Sequence, residues 1–126
     1  IVKKKIFIAN RYNSLLSGIE GIETFPFTKS NTVNSYWLYT IILKKNISRD
    51  SLIKKLLEFG IDSRPVFYPL HEMPPYKKFT NQINHFEFSD IAYAGISLPS
   101  SINLKEDEIM YICKVLSNLI IDEKRF

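Results

Sequence analysis

Residues 60–71 read Gly60-Ile-Asp-Ser-Arg-Pro-Val-Phe-Tyr-Pro-Leu-His71, and the chain continues with Glu72-Met-Pro-Pro-Tyr76. Proline fixes φ and lacks a backbone N–H, so the four prolines favour an extended segment that then turns sharply. Because Pro65 cannot donate to a strand ladder, a strand over residues 61–68 belongs at the edge of a sheet. The stretch therefore predicts an edge strand followed by a loop that presents aromatic and polar side chains.

Helical patterns flank this stretch on both sides. Before it, Ser48 is a suitable N-cap and Gly60 a suitable C-terminal stop, with Asp50 in the first turn between them. The apolar stripe of this helix is predicted to consist of Leu52, Ile53, Leu56, Leu57 and Phe59. Similar signals predict further helices over residues 2–17, 89–94 and 106–120.

Strand signals lie between the helices. Aromatic and β-branched residues from Ser35 to Leu43 favour a strand that is buried on much of both faces. Residues 96–98 form a shorter extended piece, residues 22–34 are turn-rich, and residues 69–87 are expected to be an irregular loop with a helical turn near residues 76–79. This order predicts an α/β fold, a small two-layer α+β sandwich with helices packed on a three- to four-stranded sheet.

Composition is that of one globular domain, since 126 residues of which 45% are hydrophobic can form a real core. The net charge of +4 suits either a nucleic-acid surface or an ordinary solvated surface, and the interleaved acids favour the second. No apolar run approaches the roughly 20 residues of a membrane span, and the start of the chain is not a signal peptide. Because the chain begins with Ile1 and not methionine, we expect a fragment or a processed product.

Two side chains in the proline-rich segment are candidates for chemistry. His71 lies near Tyr68 and beside Glu72, where it could contact a ligand or make one structural hydrogen bond. Arg64 could bind a phosphate or carboxylate in a bidentate manner, or it could be a surface arginine in a salt bridge. The residues alone leave both pairs of alternatives open.

The other candidates have simpler interpretations. Cys113 lies on the apolar side of the last helix and is predicted to be a buried structural thiol. Tyr36 and Trp37 are predicted to pack in the core, and His85 has no neighbours that suggest a role. Two histidines and one cysteine give no metal-ligand spacing, and no glycine-rich phosphate loop is present.

Five segments in register resemble the DegT/DnrJ/EryC1/StrS family of sugar aminotransferases, which are fold-type I enzymes that use pyridoxal phosphate (PLP). The similarity is greatest to the perosamine-synthase-like branch and covers essentially the whole chain. The segments are Arg11-Tyr-Asn-Ser-Leu-Leu16 with Ile19-Glu-Gly-Ile22, Asn34-Ser-Tyr-Trp-Leu-Tyr39, Arg49-Asp50, Gly60 to His71 with Pro75-Tyr-Lys77, and Gly95-Ile-Ser-Leu-Pro-Ser-Ser101.

The resemblance implies that this chain is the C-terminal small domain of such an enzyme. Residues 1–21 would be a helix that leads in from a large domain, and residues 22–126 the small domain itself. The large domain of the family carries the Schiff-base lysine and most PLP contacts, so PLP would belong to the full-length parent and no catalytic residue to this chain. Transfer by position makes Tyr68, His71 and Arg64 the substrate-binding candidates.

The resemblance also implies a cytoplasmic homodimer that transfers an amino group from glutamate to a nucleotide-linked keto sugar for surface-polysaccharide synthesis. Two positions depart from the family pattern: Asn34 replaces a frequent histidine, and Lys105 replaces a threonine that would cap the last helix. The alternative function is a stand-alone module that binds a nucleotide-linked sugar or a protein without catalysis.

Overall fold

The computed structural model describes residues 1–24, 31–79 and 89–123, and these form helices packed on one antiparallel sheet. The helices are α1 (Val2–Leu16), α2 (Arg49–Glu58), α3 (Pro74–Lys77), α4 (Ser89–Ala94) and α5 (Glu106–Glu123), and Leu70–Glu72 form a 3₁₀ turn. The strands are β1 (Ile22–Thr24), β2 (Tyr39–Leu43), β3 (Arg64–Pro65) and β4 (Gly95–Leu98), in the spatial order β1-β2-β4-β3. The predicted small α/β fold with a three- to four-stranded sheet is confirmed.

The core lies between one face of the sheet and the helices α1, α2 and α5. Residues alternate along β2, so that Tyr39, Ile41 and Leu43 point into this core. Tyr12 of α1 stacks on Tyr39 with ring centroids 4.6 Å apart. The other large, fully buried side chains come from all three helices and from β4: Ile8, Leu16, Leu52, Leu56, Ile96, Ile109, Leu116 and Ile120.

The two long helices after α1 begin with identifiable caps. The Ser48 hydroxyl accepts a hydrogen bond from the Ser51 N–H at 3.4 Å, as its N-cap position predicts. Lys105 supplies no capping oxygen, but its own N–H donates to Glu108 Oε2 at 2.7 Å. This contact is the glutamate half of a capping box, so α5 keeps one of the two bonds of that motif.

Several predicted boundaries are wrong. The segment predicted to be turn-rich from residue 22 contains β1, which pairs with β2 in the register Ile22↔Leu43. The strand predicted from residue 35 begins at Tyr39, because Tyr36 has a φ of 46° that no strand accepts. The strand predicted over residues 61–68 is reduced to Arg64–Pro65, although its edge position is confirmed.

The predicted apolar stripe of α2 is also partly wrong. Leu52 and Leu56 are fully buried, whereas Leu57 and Phe59 are exposed, because only one side of this helix meets the sheet and α5. Ile8 of α1 is also fully buried in the core. His85 lies outside the described residues.

Candidate functional site

A cleft of 520 Å³ lies on the face of the sheet that points away from the core. Its floor is a row of three polar side chains, since Thr40 and Arg64 are both register partners of Ser97 in β4. Opposed residues of an antiparallel sheet share a face, and here the Thr40 and Ser97 hydroxyl oxygens lie 3.2 Å apart. The floor therefore offers hydroxyl groups at its centre and a guanidinium group at its edge.

Two aromatic side chains form one wall of the cleft. Trp37 is 67% exposed, and its ring lies nearly parallel to that of Phe67, with the centroids 6.2 Å apart. The exposure of Trp37 follows from the turn before it, where the Asn34 side-chain oxygen accepts a 2.8 Å hydrogen bond from the Tyr36 N–H. This local bond favours the left-handed conformation at Tyr36, which buries Tyr36 and turns Trp37 outward. The core prediction is confirmed for Tyr36 and wrong for Trp37.

Lys5 of α1 also lines the cleft, and its ammonium group makes all of its hydrogen bonds within the protein. It donates to the Trp37 carbonyl at 2.9 Å, to the Ser100 carbonyl at 2.5 Å, and to the Ser100 hydroxyl at 3.4 Å. A lysine ammonium has three N–H donors, so all three have acceptors here. Lys5 therefore fixes the Trp37 and Ser100 segments against α1.

Arg64 lines the edge of the cleft. Its side chain is 78% exposed and contacts Asp62 Oδ2 through Nη2 at 3.2 Å. An exposed ion pair of this kind contributes at most about 1 kcal/mol to stability. A phosphate or carboxylate could therefore replace Asp62 at little cost.

His71 lies in a separate cluster with residues from the 3₁₀ turn and α4. Its Nε2 is 3.3 Å from the Ser89 hydroxyl and 3.6 Å from Glu72 Oε1, and Tyr93 donates to the other oxygen of Glu72. That donation is the main reason that the pKa of Tyr93 is raised above its usual value. The cluster thus joins the 3₁₀ turn to α4.

Among the described residues, the contacts of His71 do not form the geometry of a serine hydrolase site. In such a site the serine and the acid contact different nitrogens of the imidazole, which lets the acid orient the base. Here Ser89 and Glu72 both approach Nε2. The arrangement fits positioning of the 3₁₀ turn, while the side chain of His71 retains some exposure.

The structure does not bring the three predicted substrate-binding residues together in one cavity. Arg64 lines the cleft, whereas His71 lies in its own cluster. Tyr68 is 61% exposed and lies in the chain between Phe67 of the aromatic wall and the 3₁₀ turn. The three residues mark one continuous edge of the molecule along residues 64–71.

Neither Cys113 nor a metal site adds a reactive centre among the described residues. Burial raises the pKa of the Cys113 thiol to about 12, which confirms the predicted structural role. Within residues 1–24, 31–79 and 89–123, no group of three His, Cys, Asp or Glu side chains is placed to hold a metal ion. No helix in these ranges is long and apolar enough to cross a membrane.

The fold and the cleft are those of a small α/β domain with a ligand-sized cavity on the open face of its sheet. Residues 1–117 match the DegT/DnrJ/EryC1/StrS aminotransferase family, and the chain belongs to that family. It is 34% identical over 120 residues to GDP-perosamine synthase of Vibrio cholerae, which covers 94% of this chain and 32% of that protein.

Solved structures agree on the fold. The aminotransferase TlmJ from Streptoalloteichus hindustanus superposes with a TM-score of 0.83 at 20% identity, over 96% of this chain and 32% of that one. The PLP form of Spr1654 from Streptococcus pneumoniae gives 0.84 at 21% identity, over 98% and 32%. These neighbours are fold-type I aminotransferases, and the chain spans about a third of the length of the relatives that it matches.

The family uses PLP, so we asked whether the cleft could hold it. A PLP site needs a lysine amine free to form an imine and an acid beside the pyridine nitrogen. Among the described lysines, Lys5 is the one that lines the cleft, and its three donors are already used. Asp62, the acid of the cleft, is paired with Arg64. The described residues of the cleft therefore do not fit PLP.

Sequence reasoning missed most of the cleft. The alternation Tyr39-Thr40-Ile41 would have placed Thr40 on the face opposite the core, and Asn34 two residues before Tyr36 is a signal for a turn that interrupts a strand. The positions of Lys5 and Ser100 carried no local signal, since 95 residues separate them in the chain.

Proposed function

We propose that this chain forms the small, substrate-facing domain of a PLP-dependent aminotransferase that aminates a keto group on a nucleotide-linked sugar. Membership of the family supports the reaction class, and the 34% identity to a GDP-perosamine synthase supports the substrate class. The observation that carries the proposal is the cleft itself, with its aromatic wall above a floor of hydroxyl groups.

This combination of groups suits a sugar. The C–H faces of a pyranose ring are apolar and can lie against the exposed ring of Trp37, while sugar hydroxyls can exchange hydrogen bonds with Thr40 and Ser97. A volume of 520 Å³ lies within the range of small-molecule sites. The cleft is therefore large enough for a hexose and part of the nucleotide attached to it.

Arg64, Tyr68 and His71 take substrate-facing roles in this proposal. Arg64 is placed to bind a diphosphate oxygen by exchanging it for Asp62. Tyr68 presents an exposed ring next to the aromatic wall, and His71 holds the following turn through Ser89 and Glu72 while keeping part of its own ring accessible. His71 thus acts first as a positioning residue.

The parent protein is proposed to be a cytoplasmic homodimer that uses glutamate as amino donor and serves surface-polysaccharide synthesis. Residues 1–21 would lead in from its large domain, and residues 22–126 would form the small domain. PLP, when bound to that large domain, supplies the electron sink for transamination. The residues described here bind and orient the sugar nucleotide, and we assign the Schiff-base lysine to the large domain.

Binding can be measured with the intrinsic fluorescence of Trp37, which is the single tryptophan of the chain and lines the cleft. We expect a saturable fluorescence change on titration with GDP-mannose and a weaker one with GDP alone, because GDP lacks the sugar. Arg64→Gln should weaken GDP-mannose binding about fivefold, the value of an exposed charge-assisted hydrogen bond.

Lys54→Gln is the matched control, since it removes the same charge from an exposed position of α2 outside the cleft. It should leave the affinity for GDP-mannose within about twofold, as expected for a distant exposed charge. Equal weakening by both variants, or no saturable change with GDP-mannose, would contradict the proposed site.

A binding role without catalysis is the second candidate. One observation favours it: the lysine that lines the cleft is engaged by Trp37 and Ser100, so the described cleft residues offer groups for binding and no free amine. The two candidates agree on sugar-nucleotide binding by this chain. They differ in the activity of the full-length protein. An aminotransferase transfers an amino group from glutamate to the sugar, whereas a binding module does not.

A further inference from the structure

A second cavity, of 440 Å³, lies between the end of β2, the start of α2 and the helix α4. We call it the Arg49 groove and define it by Lys44, Lys45, Arg49, Asp90 and Tyr93. It shares no lining residue with the cleft. Its chemistry is accordingly independent of the proposed sugar site.

Arg49 is the central group of this groove. Its side chain is only 12% exposed, and it donates from Nε to Asp50 Oδ1 at 2.8 Å and from Nη1 to the Ala92 carbonyl at 3.1 Å. A guanidinium has five N–H donors. Two of them are used, so the other three have no hydrogen-bond acceptor within the described parts of the chain and remain available to a ligand that accepts.

The charges around Arg49 favour an anion. Lys44 and Lys45 are exposed at the rim, and α2 begins at Arg49, so the positive end of its dipole lies at the groove. Asp50 is paired with the Nε edge of Arg49, and Asp90 places one negative charge in the lining. Among the lining residues, three basic side chains face one acid that is paired with Arg49 and one that is not, and Glu72 contacts Tyr93 from outside the lining.

We propose that the Arg49 groove binds a small molecule that carries a phosphate or diphosphate group. A planar guanidinium fork matches two phosphate oxygens, and the two lysine ammonium groups can reach the remaining ones. Ile47 and Ile91 in the lining provide apolar contact for an organic part of the ligand. The proposal does not depend on the aminotransferase function, because it rests on a different cavity.

Calorimetric titration of the 126-residue chain with inorganic pyrophosphate tests the proposal. We expect one saturable site, and Lys44→Gln combined with Lys45→Gln should weaken it at least about tenfold, since charge-assisted hydrogen bonds are lost. Arg49→Lys should also weaken binding although the net charge is unchanged, because an ammonium group cannot replace the fork. Circular dichroism checks that each variant remains folded.

Lys3→Gln combined with Lys4→Gln is the matched control, since it removes two equally exposed charges from α1. It should leave the affinity for pyrophosphate within about twofold at 0.15 M salt, where distant charges are screened. Arg64→Gln should have no effect, which separates this groove from the cleft. The same titration with ADP distinguishes two kinds of ligand. A higher affinity for ADP than for pyrophosphate would indicate an organic phosphate, and equal affinities would indicate that only the diphosphate group is recognised.

The proposal is wrong if both double lysine variants weaken pyrophosphate binding equally, because the effect would then come from overall charge. It is also wrong if the Kd of the unaltered chain for pyrophosphate is weaker than about 1 mM, the limit of useful small-molecule affinity. Neither result would bear on GDP-mannose binding in the cleft.

Discussion

Lysine side chains on a helix surface usually end in water, and Lys5 is an exception. Its ammonium group joins α1 to two segments that are distant in sequence, those of Trp37 and Ser100. Hydrogen bonds from a charged donor to carbonyl oxygens are stronger than neutral ones. The single side chain therefore holds the aromatic wall of the cleft in place.

Lys5→Met should lower the free energy of unfolding by about 1–2 kcal/mol, because it keeps the methylene stem and removes the charged donor. Urea unfolding measures the loss. The control is Lys4→Met, at an exposed position of the same helix, where the change should be within about 0.5 kcal/mol. Equal destabilisation by both substitutions would show that Lys5 has no special structural role.

For single residues, the sequence predicted the chemical role of a side chain better than its location in the fold. It predicted the buried thiol of Cys113, and it named a salt-bridged surface arginine as one of two alternatives for Arg64. It misplaced Trp37, because a turn stabilised by Asn34 decides the direction of that ring and the aromatic composition does not. Cleft residues from α1 and from the segment after β4 meet only through the tertiary fold.

Among the secondary-structure elements, β4 is the one on which the cleft and the core both depend. It is a central strand, all four of its residues are buried, and Ser97 on it joins Thr40 and Arg64 across the sheet. The sequence predicted only a brief extended piece here. Four residues contain too little periodicity to distinguish a central strand from a connecting segment.

Gly95→Ala should destabilise the protein by about 1–3 kcal/mol, the usual cost of overpacking. A β-carbon at this position would lie 2.4 Å from Val66 Cγ2 and 3.0 Å from the Ile91 carbonyl oxygen. Thermal or urea unfolding measures the loss.

Val66→Ala provides the matched partner in a double-mutant cycle, because it removes the methyl group that clashes first. The double variant should lose less stability than the sum of the two single changes. Strict additivity would show that contact with Val66 is not the source of the cost.

The helices and the edge position of β3 were more predictable than the strand ends. Caps at Ser48 and Gly60 and a clear apolar stripe predicted α2 almost to the residue, since capping acts locally. The ends of β2 and β3 depend on a turn at Tyr36 and on pairing with β4, which lies about 30 residues further along the chain than β3. Such non-local effects leave little trace in a short stretch of sequence.

At the scale of the whole molecule, we propose that substrate binding and the Schiff-base lysine lie in different domains of the parent protein. This chain belongs to the DegT/DnrJ/EryC1/StrS family and spans about a third of the length of its relatives. Its cleft has groups that can bind a sugar, whereas the lysine that lines it is fully engaged by Trp37 and Ser100. We propose that this domain binds the sugar nucleotide and that the Schiff-base lysine lies in the large domain of the parent protein.

The most direct test of this claim is to mix the chain with PLP, reduce any imine with borohydride, and locate the modified lysines by mass spectrometry. We expect only scattered, substoichiometric adducts on exposed lysines, because the one described lysine that lines the cleft is engaged by other residues. A stoichiometric adduct at one lysine, above all at Lys5, would contradict the account and place the cofactor in this domain.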